Sequence, residues 1–189
     1  MAERSGPFRH ETERLILRDW CEEDWAPFFE ATNTPSVMRW LGGVMDEAKA
    51  NAARGRLEAY RREHGHTFWV VERREDGAIL GFCGLKRCNE PNGPTGEMEV
   101  GWRLREDAWG KGYAKEAAIA SLDLAFDMFD AQQVIALTVQ RNTASWGLMK
   151  RLGMRRRDDL DFEGPGFDPD DATIMVYEID KDEWRALNG

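Results

Sequence analysis

Two glycines flank a lysine in the stretch WGKGYAKEAA, residues 109–118, a spacing that could bind an anion. The stretch follows a strand-like run and precedes a long apolar segment that predicts a helix. The start of a helix offers free backbone N–H groups and the positive end of the helix dipole. Gly110 and Gly112 would let a ligand come close to that backbone, and Lys111 adds positive charge. The pattern predicts a turn that grips a pyrophosphate; a tight turn without a ligand is the alternative.

Two common nucleotide-binding motifs do not fit this turn. The P-loop pattern GxxxxGK[ST] fails because Lys111 is followed by Gly112 and no glycine stands five residues before Gly110. The dinucleotide fingerprint GxGxxG fails because Lys115 occupies the third glycine position, and no strand with an acidic end follows about 20 residues later. A short strand-to-helix turn that binds through its backbone remains.

The elements around this turn predict one mixed α/β domain. Strand-like runs occupy residues 14–20, 67–74, 78–87, 97–104, 133–139 and 172–180, with a further strand starting near Met154. Helical patterns occupy residues 21–33, 46–65, 113–129 and 142–154. We therefore predict a mixed, mostly antiparallel sheet of six or seven strands with about four helices. Residues 1–12 are predicted to form a flexible leader, and residues 13–184 the domain.

Composition narrows the class of protein. The 189 residues suit one domain with a real core. A net charge of −9 argues against binding of nucleic acid and mildly favours a cationic partner, although acidity for solubility alone explains it equally well. Three cysteines without a CxxC pair indicate a reducing, cytoplasmic location. We expect no membrane segment and no metal, because the HGH at 64–66 has no partner at ligand spacing.

Two longer stretches resemble a known family. EVGWRLREDAWGKGYAKEAAIASLDLAF and VIALTVQRNTASWGLMKRLGM are similar to the acetyl-CoA-binding half of the GNAT N-acetyltransferase superfamily. The similarity is greatest to the branch of the ribosomal-protein-alanine N-acetyltransferases, the RimJ/RimL type, and it runs from TERLILRDW to IMVYEIDKDEW. This resemblance implies the GNAT fold, acetyl-CoA as cosubstrate, and direct attack by a primary amine in a ternary complex.

The resemblance also assigns residues to acetyl-CoA. The family signature [Q/R]-x-x-G-x-[G/A] matches at Gly110 and Gly112, but Asp107 stands where glutamine or arginine is usual. Leu104 falls where the strand backbone pairs with the pantetheine arm. The residues implied to contact acetyl-CoA are Trp102, Leu104, Trp109, Gly110, Lys111, Gly112, Tyr113, Ala114, Asn142 and Ser145.

The strand EMEVGWRL supplies the candidate base. Acetyl transfer to an ammonium requires removal of a proton, and Glu99 matches the glutamate implicated as a base in the ribosomal-protein branch. Glu99 precedes Gly101 by two residues, where a bulge would open the strands. Glu97 shares its face and is the rival base. The structural alternative is that Glu99 pairs with Arg103 on the sheet face.

The departing thiolate needs a proton donor, and here the chain departs from the broad family pattern. Many GNAT enzymes have a tyrosine seven residues after the asparagine of the last motif, whereas counting from Asn142 leads to Met149. The resemblance implies that Ser145 takes this role, with a simple first-turn hydroxyl as the alternative. Asn142 is implied to contact the cofactor, and it also suits an N-cap.

The acceptor is less constrained. The resemblance favours a protein N-terminal amine; a polyamine or aminoglycoside, or a non-catalytic acyl-CoA sensor, are the alternatives. A cationic acceptor would suit an acidic loop, or that loop is merely solvated; its acids are Asp158, Asp159, Asp161, Glu163, Asp168, Asp170 and Asp171. Five tryptophans line a cleft or fill the core: Trp20, Trp25, Trp40, Trp69 and Trp102. We expect a monomer or homodimer.

Overall fold

A computed structural model of the protein describes residues 6–164 and 172–188. Its strands are β1 (Arg9–Glu11), β2 (Leu15–Arg18), β3 (Phe68–Arg73), β4 (Ile79–Arg87), β5 (Met98–Leu104), β6 (Gln133–Val139), β7 (Arg155–Arg156), β8 (Phe162–Glu163) and β9 (Thr173–Asp180). Its helices are α1 (Trp25–Thr32), α2 (Pro35–Met38), α3 (Glu47–His64), α4 (Tyr113–Asp127), α5 (Thr143–Arg151) and α6 (Lys181–Asn188).

The strands form one sheet in the order β1-β2-β3-β4-β5-β6-β9-β7, with β8 also paired to β9. Neighbouring strands are antiparallel except β5 and β6, which are parallel. The α/β class and the mixed, mostly antiparallel sheet predicted from the sequence are confirmed.

The counts of elements differ from the prediction. The described chain has nine strand segments and six α-helices, not six or seven strands and about four helices. The strand predicted near Met154 is present as β7, and the two strands that were not predicted, β1 and β8, are only two or three residues long and form by pairing with β2 and β9. Short α2 has Thr34 as N-cap and proline at its first position, and α6 is held by buried Trp184.

The predicted flexible leader is also corrected in part. Residues Arg9–Glu11 form β1, antiparallel to β2, and Phe8 is buried with its ring 4.3 Å from that of Trp69. The N–H of Phe8 donates to Oδ2 of Asp19 at 2.8 Å. The last part of the segment is therefore ordered by long-range contacts. The outer limits of the domain stay a prediction.

The two faces of the sheet have different roles. One face packs against α4, whose buried residues include Ala118, Leu122 and Phe126, and this forms the main core. The opposite face carries the aromatic residues of α1 and a second cluster around Ile135 and Val176. Alternation along β5 points Val100 into the main core, whereas Glu99 points to the opposite face.

A gap opens between the parallel strands. Within the described residues, pairing of β5 with β6 is confined to Met98 with Val134 and Glu99 with Ile135. The ladder of β5 with β4, by contrast, is continuous to Leu104. The edge of β5 beyond Glu99 is thus left without β6 as a partner over about 17 Å. Because the two strands are parallel, the turn that follows β5 and the turn that follows β6 lie together at the open end of this gap.

Candidate active site

The glycine turn lies at the open end of β5 and leads into α4. Gly110 and Gly112 have φ of 71° and 81°, a left-handed region that favours glycine. A Cβ added at Gly110 would meet nothing within 4 Å. The backbone N–H groups from Gly110 to Lys115 donate no hydrogen bond within the described part of the chain. The turn thus offers several free donors at a helix N-terminus, the arrangement that suits an anion.

Arg14, the residue just before β2, contacts the turn and its helix. Its Nη1 donates to the carbonyl oxygen of Lys111 at 2.9 Å, and its guanidinium lies 4.6 Å from the ring centre of Tyr113. Nε of Arg14 pairs with Glu116 of α4 at 2.7 Å, and the same carboxylate accepts from Thr12. With the carbonyl of Lys111 bound to Arg14, the N–H groups of the turn are left to face solvent.

The start of α5 lies across the gap. Asn142 is its N-cap, as predicted, and its Oδ1 accepts the N–H of Ser145 at 3.3 Å. Ser145 is half-buried in the first turn of the helix. Met149, at the position where many family members have the tyrosine, is a buried apolar side chain of the main core.

The β5 residues predicted to contact acetyl-CoA divide between the sheet faces and its edge. The side chain of Trp102 packs against the main core, on the face opposite to Glu99. Leu104 is buried, and its carbonyl oxygen accepts a hydrogen bond from Nε1 of the exposed Trp109 at 2.9 Å. For Trp102, therefore, the backbone and not the side chain is positioned to face the gap.

Glu99 lies where the two parallel strands separate. It is only 8% exposed, yet Oε2 has no hydrogen-bond partner in the described chain. Nζ of Lys86, its direct neighbour on β4, lies 3.4 Å from that oxygen, an ion pair without hydrogen-bond alignment. A buried carboxylate with free lone pairs is well suited to accept a proton.

Burial dominates the electrostatics of this carboxylate. Loss of solvation raises the pKa of Glu99 to about 7, although the charge of Lys86 opposes the rise. Glu90 raises the pKa further and shares Lys86, whose Nζ lies 3.2 Å from Oε1 of Glu90. A base with a pKa near neutrality is poised for proton transfer at physiological pH.

The rivals to this assignment have other contacts. Glu97 lies before the paired part of β5, and its Oε2 accepts from Nε2 of Gln133 at 2.8 Å. The structural alternative, a pair between Glu99 and Arg103, is not found, because Nη2 of Arg103 donates to Oγ1 of Thr32 at 2.8 Å. Pairing with β4 also continues without a break at Gly101, so the predicted bulge is absent from the β4–β5 ladder. The gap opens on the β6 side.

The acidic loop is less available to a cation than its composition suggested. Arg156 pairs with Asp161, and Arg157 pairs with Asp159 at 2.7 Å. Glu163 accepts from the hydroxyl of Thr173. The remaining predicted acids Asp168, Asp170 and Asp171 lie outside the described residues. Of the five tryptophans, Trp25 and Trp69 are buried in the core, while Trp20, Trp40 and Trp102 are half-buried.

The part of the chain that the structure describes contains no group of three His, Cys, Asp or Glu side chains placed to hold a metal ion. His66 of the HGH sequence is buried, and its ring lies against that of Phe129. None of the described helices is both long and apolar enough to cross a membrane.

Removing the positive charge beside Glu99 tests the geometry directly. In Lys86→Met the carboxylate loses the charge that lowers its pKa, so the pKa of Glu99 should rise above 7. Because the base acts when deprotonated, the rise of kcat/KM with pH should move to higher pH, with a similar plateau. A pH profile of thiol release measures this. An unchanged or acid-shifted profile would contradict the assignment.

Comparisons with known proteins agree on one family. Residues 14–155 match the model of the acetyltransferase (GNAT) domain. The chain is similar to YnaD, an uncharacterised N-acetyltransferase of Bacillus subtilis, with 32% identity over 77% of this chain and 81% of the relative. Its structure resembles an acetyltransferase of Agrobacterium tumefaciens with a TM-score of 0.76 and 25% identity, over 96% and 99% of the two chains. A ribosomal-protein-S5-alanine acetyltransferase of Vibrio fischeri shares the fold, with a TM-score of 0.72 and 18% identity over 94% and 98% of the chains.

Proposed function

This chain belongs to the GNAT acetyltransferase family and is an N-acetyltransferase, and we propose that it moves the acetyl group of acetyl-CoA directly to a primary amine held beside Glu99. The observation that carries this proposal is the position of Glu99, a buried carboxylate with a pKa of about 7 where β5 and β6 separate. Proteins of this family use acetyl-CoA as donor.

The donor side of the proposal rests on two features of the backbone. The free N–H groups from Gly110 to Ala114 would bind the pyrophosphate, and the open positions around Gly110 leave room for it. The unpaired edge of β5 from Val100 to Leu104 would pair with the pantetheine arm. Trp102 contributes its backbone alone, which revises its expected role. Asn142 would complete the site from the start of α5.

The acceptor side rests on proton transfer. An ammonium group is unreactive, and Glu99 as carboxylate takes its proton, directly or through a water molecule, as the amine attacks the thioester carbon. The bond from carbonyl carbon to sulfur then breaks, and the thiolate leaves. Attack in a ternary complex needs no acetylated protein group, and the described site offers a base without a well-placed nucleophile such as a free thiol: Cys83 and Cys88 are both buried.

Ser145 is proposed to relay to the leaving thiolate the second proton that the attacking nitrogen releases, which restores the hydroxyl, and its removal should affect kcat. In Ser145→Ala the loss should be about 10²-fold, the lower end for general acid catalysis, with the KM of acetyl-CoA little changed. Thr143→Ala, two residues earlier and exposed at the start of α5, is the matched control and should keep full activity. Steady-state kinetics decide, and equal activity of the two variants would remove Ser145 from the mechanism.

The nature of the acceptor is part of the same proposal. A protein N-terminal amine fits the branch that the sequence resembles, and the ribosomal-protein-S5-alanine acetyltransferase that shares the fold acts, by its name, on an alanine of a protein. A small amine is the second candidate, favoured by the aromatic rings of Phe68 and Phe82 on the sheet face that carries Glu99. A cytoplasmic location is proposed with either, supported by the three free cysteines. A monomer or homodimer is equally compatible.

The test is thiol release from acetyl-CoA by the purified protein with a panel of amines. The panel contains peptides with free alanine, serine or methionine N-termini, spermidine, an aminoglycoside and free amino acids. Turnover with one class, with formation of the acetylated amine by mass spectrometry, would support the proposal. Tight binding of acetyl-CoA without turnover of any amine would refute direct acetyl transfer to the kinds of amine in this panel.

A further inference from the structure

Arg103 is a buried positive charge on the same sheet face as Glu99. It is 8% exposed, and no carboxylate of the described chain pairs with it. Nη2 donates to Oγ1 of Thr32 at 2.8 Å, whereas Nε is buried and has no partner. An arginine has five N–H donors, so most of the hydrogen-bonding capacity of this guanidinium is unused.

The surroundings of Arg103 do not explain why a charge is kept there. Leaving a buried charge without a counter-ion costs several kcal/mol. The ring of Phe28, whose centre lies 4.8 Å from Cζ, offsets about 2 kcal/mol of that cost. Burial lowers the pKa of Arg103 to about 10, which still leaves it charged at neutral pH. A group that is costly for stability and has unused donors indicates a binding role.

The local geometry fixes the guanidinium in one place. The hydroxyl of Thr32 donates to the carbonyl oxygen of Phe28 at 2.7 Å, so its oxygen is left to accept from Arg103. Thr32 is fully buried at the end of α1, and Phe28 is 1% exposed. The helix therefore orients Arg103 without neutralising it.

An aromatic surface separates Arg103 from Glu99. The two residues are four apart on β5, about 13 Å between their Cα atoms. Gly101 lies between them, and the ring of Phe68 covers it so closely that a Cβ there would approach within 2.8 Å. Phe82, the cross-strand partner of Arg103, stacks on Phe68 with ring centres 4.9 Å apart. Both rings are half-buried, so this surface remains accessible.

We propose that Arg103 binds a carboxylate of the acceptor, so that the substrate is a primary amine that also carries an acidic group several bonds away. This inference rests on the proposed function, since Glu99 has to mark the amine end. The acid could belong to an extended ω-amino acid or to an acidic side chain near a peptide N-terminus; both present the same chemistry. A polycationic acceptor would face Arg103 with like charge.

Matched acceptor pairs test this specificity. The acid members are 6-aminohexanoate and the peptide Ala-Glu-Gly amide, and their neutral partners are 6-aminohexanamide and Ala-Gln-Gly amide. In the wild-type protein kcat/KM should be at least about tenfold higher for the acid of one pair, the effect of a charge-assisted hydrogen bond. In Arg103→Met the ratio should fall to about one, with the KM of acetyl-CoA unchanged. The pair that responds identifies the source of the carboxylate.

Two further variants control for indirect effects. Arg54→Met also removes a guanidinium that lies on an aromatic ring, that of Trp25 at 5.3 Å, but Arg54 is already paired with Glu22 and Glu58. This control should keep the acid preference. Thr32→Val removes the hydrogen bond that orients Arg103 and should reduce the ratio partially. Arg103→Met should unfold at the same or a higher temperature, because an unpaired buried charge is removed.

Binding gives a readout that does not depend on turnover. Calorimetric titration of the coenzyme A complex with 6-aminohexanoate and with its amide should show tighter binding of the acid, and Arg103→Met should abolish the difference. Equal affinities or rates for both members of each pair, or a preference that persists in Arg103→Met, would overturn the inference. That result would leave the proposed function intact, since amines would still be acetylated. Carboxylate binding without thiol release would support Arg103 and count against acetyl transfer.

Discussion

Replacement of Glu99 by glutamine is expected to lower kcat about 10²- to 10⁴-fold, the contribution of a positioned general base. Glutamine keeps the size of the side chain but cannot accept a proton from the amine. The variant should fold as well as the wild type or better, because it removes a carboxylate whose burial disfavours its charge. Acetyl-CoA affinity should not change. Thiol release with a responsive amine measures the effect.

The pH profile provides the sharper part of this prediction. The pKa of Glu99 is raised to about 7, so wild-type kcat/KM should rise with pH through that value as the carboxylate forms. Glu99→Gln should lose this limb and retain only the rise that follows deprotonation of the amine itself. Glu97→Gln is the matched control, since the carboxylate of Glu97 lies just before the paired part of β5 and accepts a hydrogen bond from Gln133. If Glu97→Gln lost the limb and Glu99→Gln kept it, the two roles would be reversed.

Ionisation of Glu99 is expected to affect folding stability in the opposite direction to activity: it raises kcat/KM but lowers the stability of the folded protein. Because the pKa of Glu99 is higher in the folded protein than in the unfolded chain, the folded state holds the proton more tightly. The charged carboxylate therefore costs stability as pH rises from its ordinary range towards 7. Unfolding experiments on wild type and Glu99→Gln should diverge in this interval, with the variant more stable above it. The ionised form of Glu99, which acts as the base, therefore lowers the stability of the folded protein.

Local patterns predicted the long elements of the fold well. The glycine turn, the N-cap at Asn142 and the end of α3 at Gly65 all depend on neighbouring residues, so a single sequence shows them. Short β1 and β8 were not predicted, because two or three residues carry too little local pattern, and residues 9–11 had instead been placed in a flexible leader.

The site is harder to predict because its groups meet across strands. Lys86 became the partner of Glu99 only once the register of β4 with β5 was fixed, since a shift of one residue would place it on the other face. Spacing along the strand offered Glu99 as an alternative partner for Arg103, yet α1 brings Thr32 and Phe28 to it from 71 and 75 residues away in sequence. Alternation along a strand shows which face of the sheet a residue occupies, but not which side chain it contacts on that face.

A methyl group added at Gly110 should weaken acetyl-CoA binding at least about tenfold, equivalent to 1.4 kcal/mol. Gly110 has a φ of 71°, where an alanine costs roughly 1–2 kcal/mol in backbone strain. Relief of that strain would turn the N–H groups of the turn away from a bound pyrophosphate, and the Cβ itself would point into the open space that the ligand is proposed to occupy. Calorimetry with acetyl-CoA measures the loss.

Gly77 offers a closely matched control for this variant. It lies in the turn between β3 and β4 with a φ of 72°, and a Cβ there also meets nothing within 4 Å. Gly110→Ala and Gly77→Ala should therefore lower the unfolding temperature to a similar degree, while only Gly110→Ala loses affinity for acetyl-CoA. Equal affinities in the two variants would mean that the turn at Gly110 does not contact the ligand.

The donor S-acetylpantetheine, which lacks the nucleotide and its pyrophosphate, separates the contact from general damage. If the N–H groups of this turn bind the pyrophosphate, Gly110→Ala should lower kcat/KM for acetyl-CoA and leave the slower reaction with S-acetylpantetheine nearly unchanged. The wild-type preference for the full cofactor should shrink by the same factor as the loss in affinity, since both report the same hydrogen bonds. An equal fall with both donors would instead place the damage at the gap between β5 and β6, and the free backbone donors at the start of α4 would need another ligand.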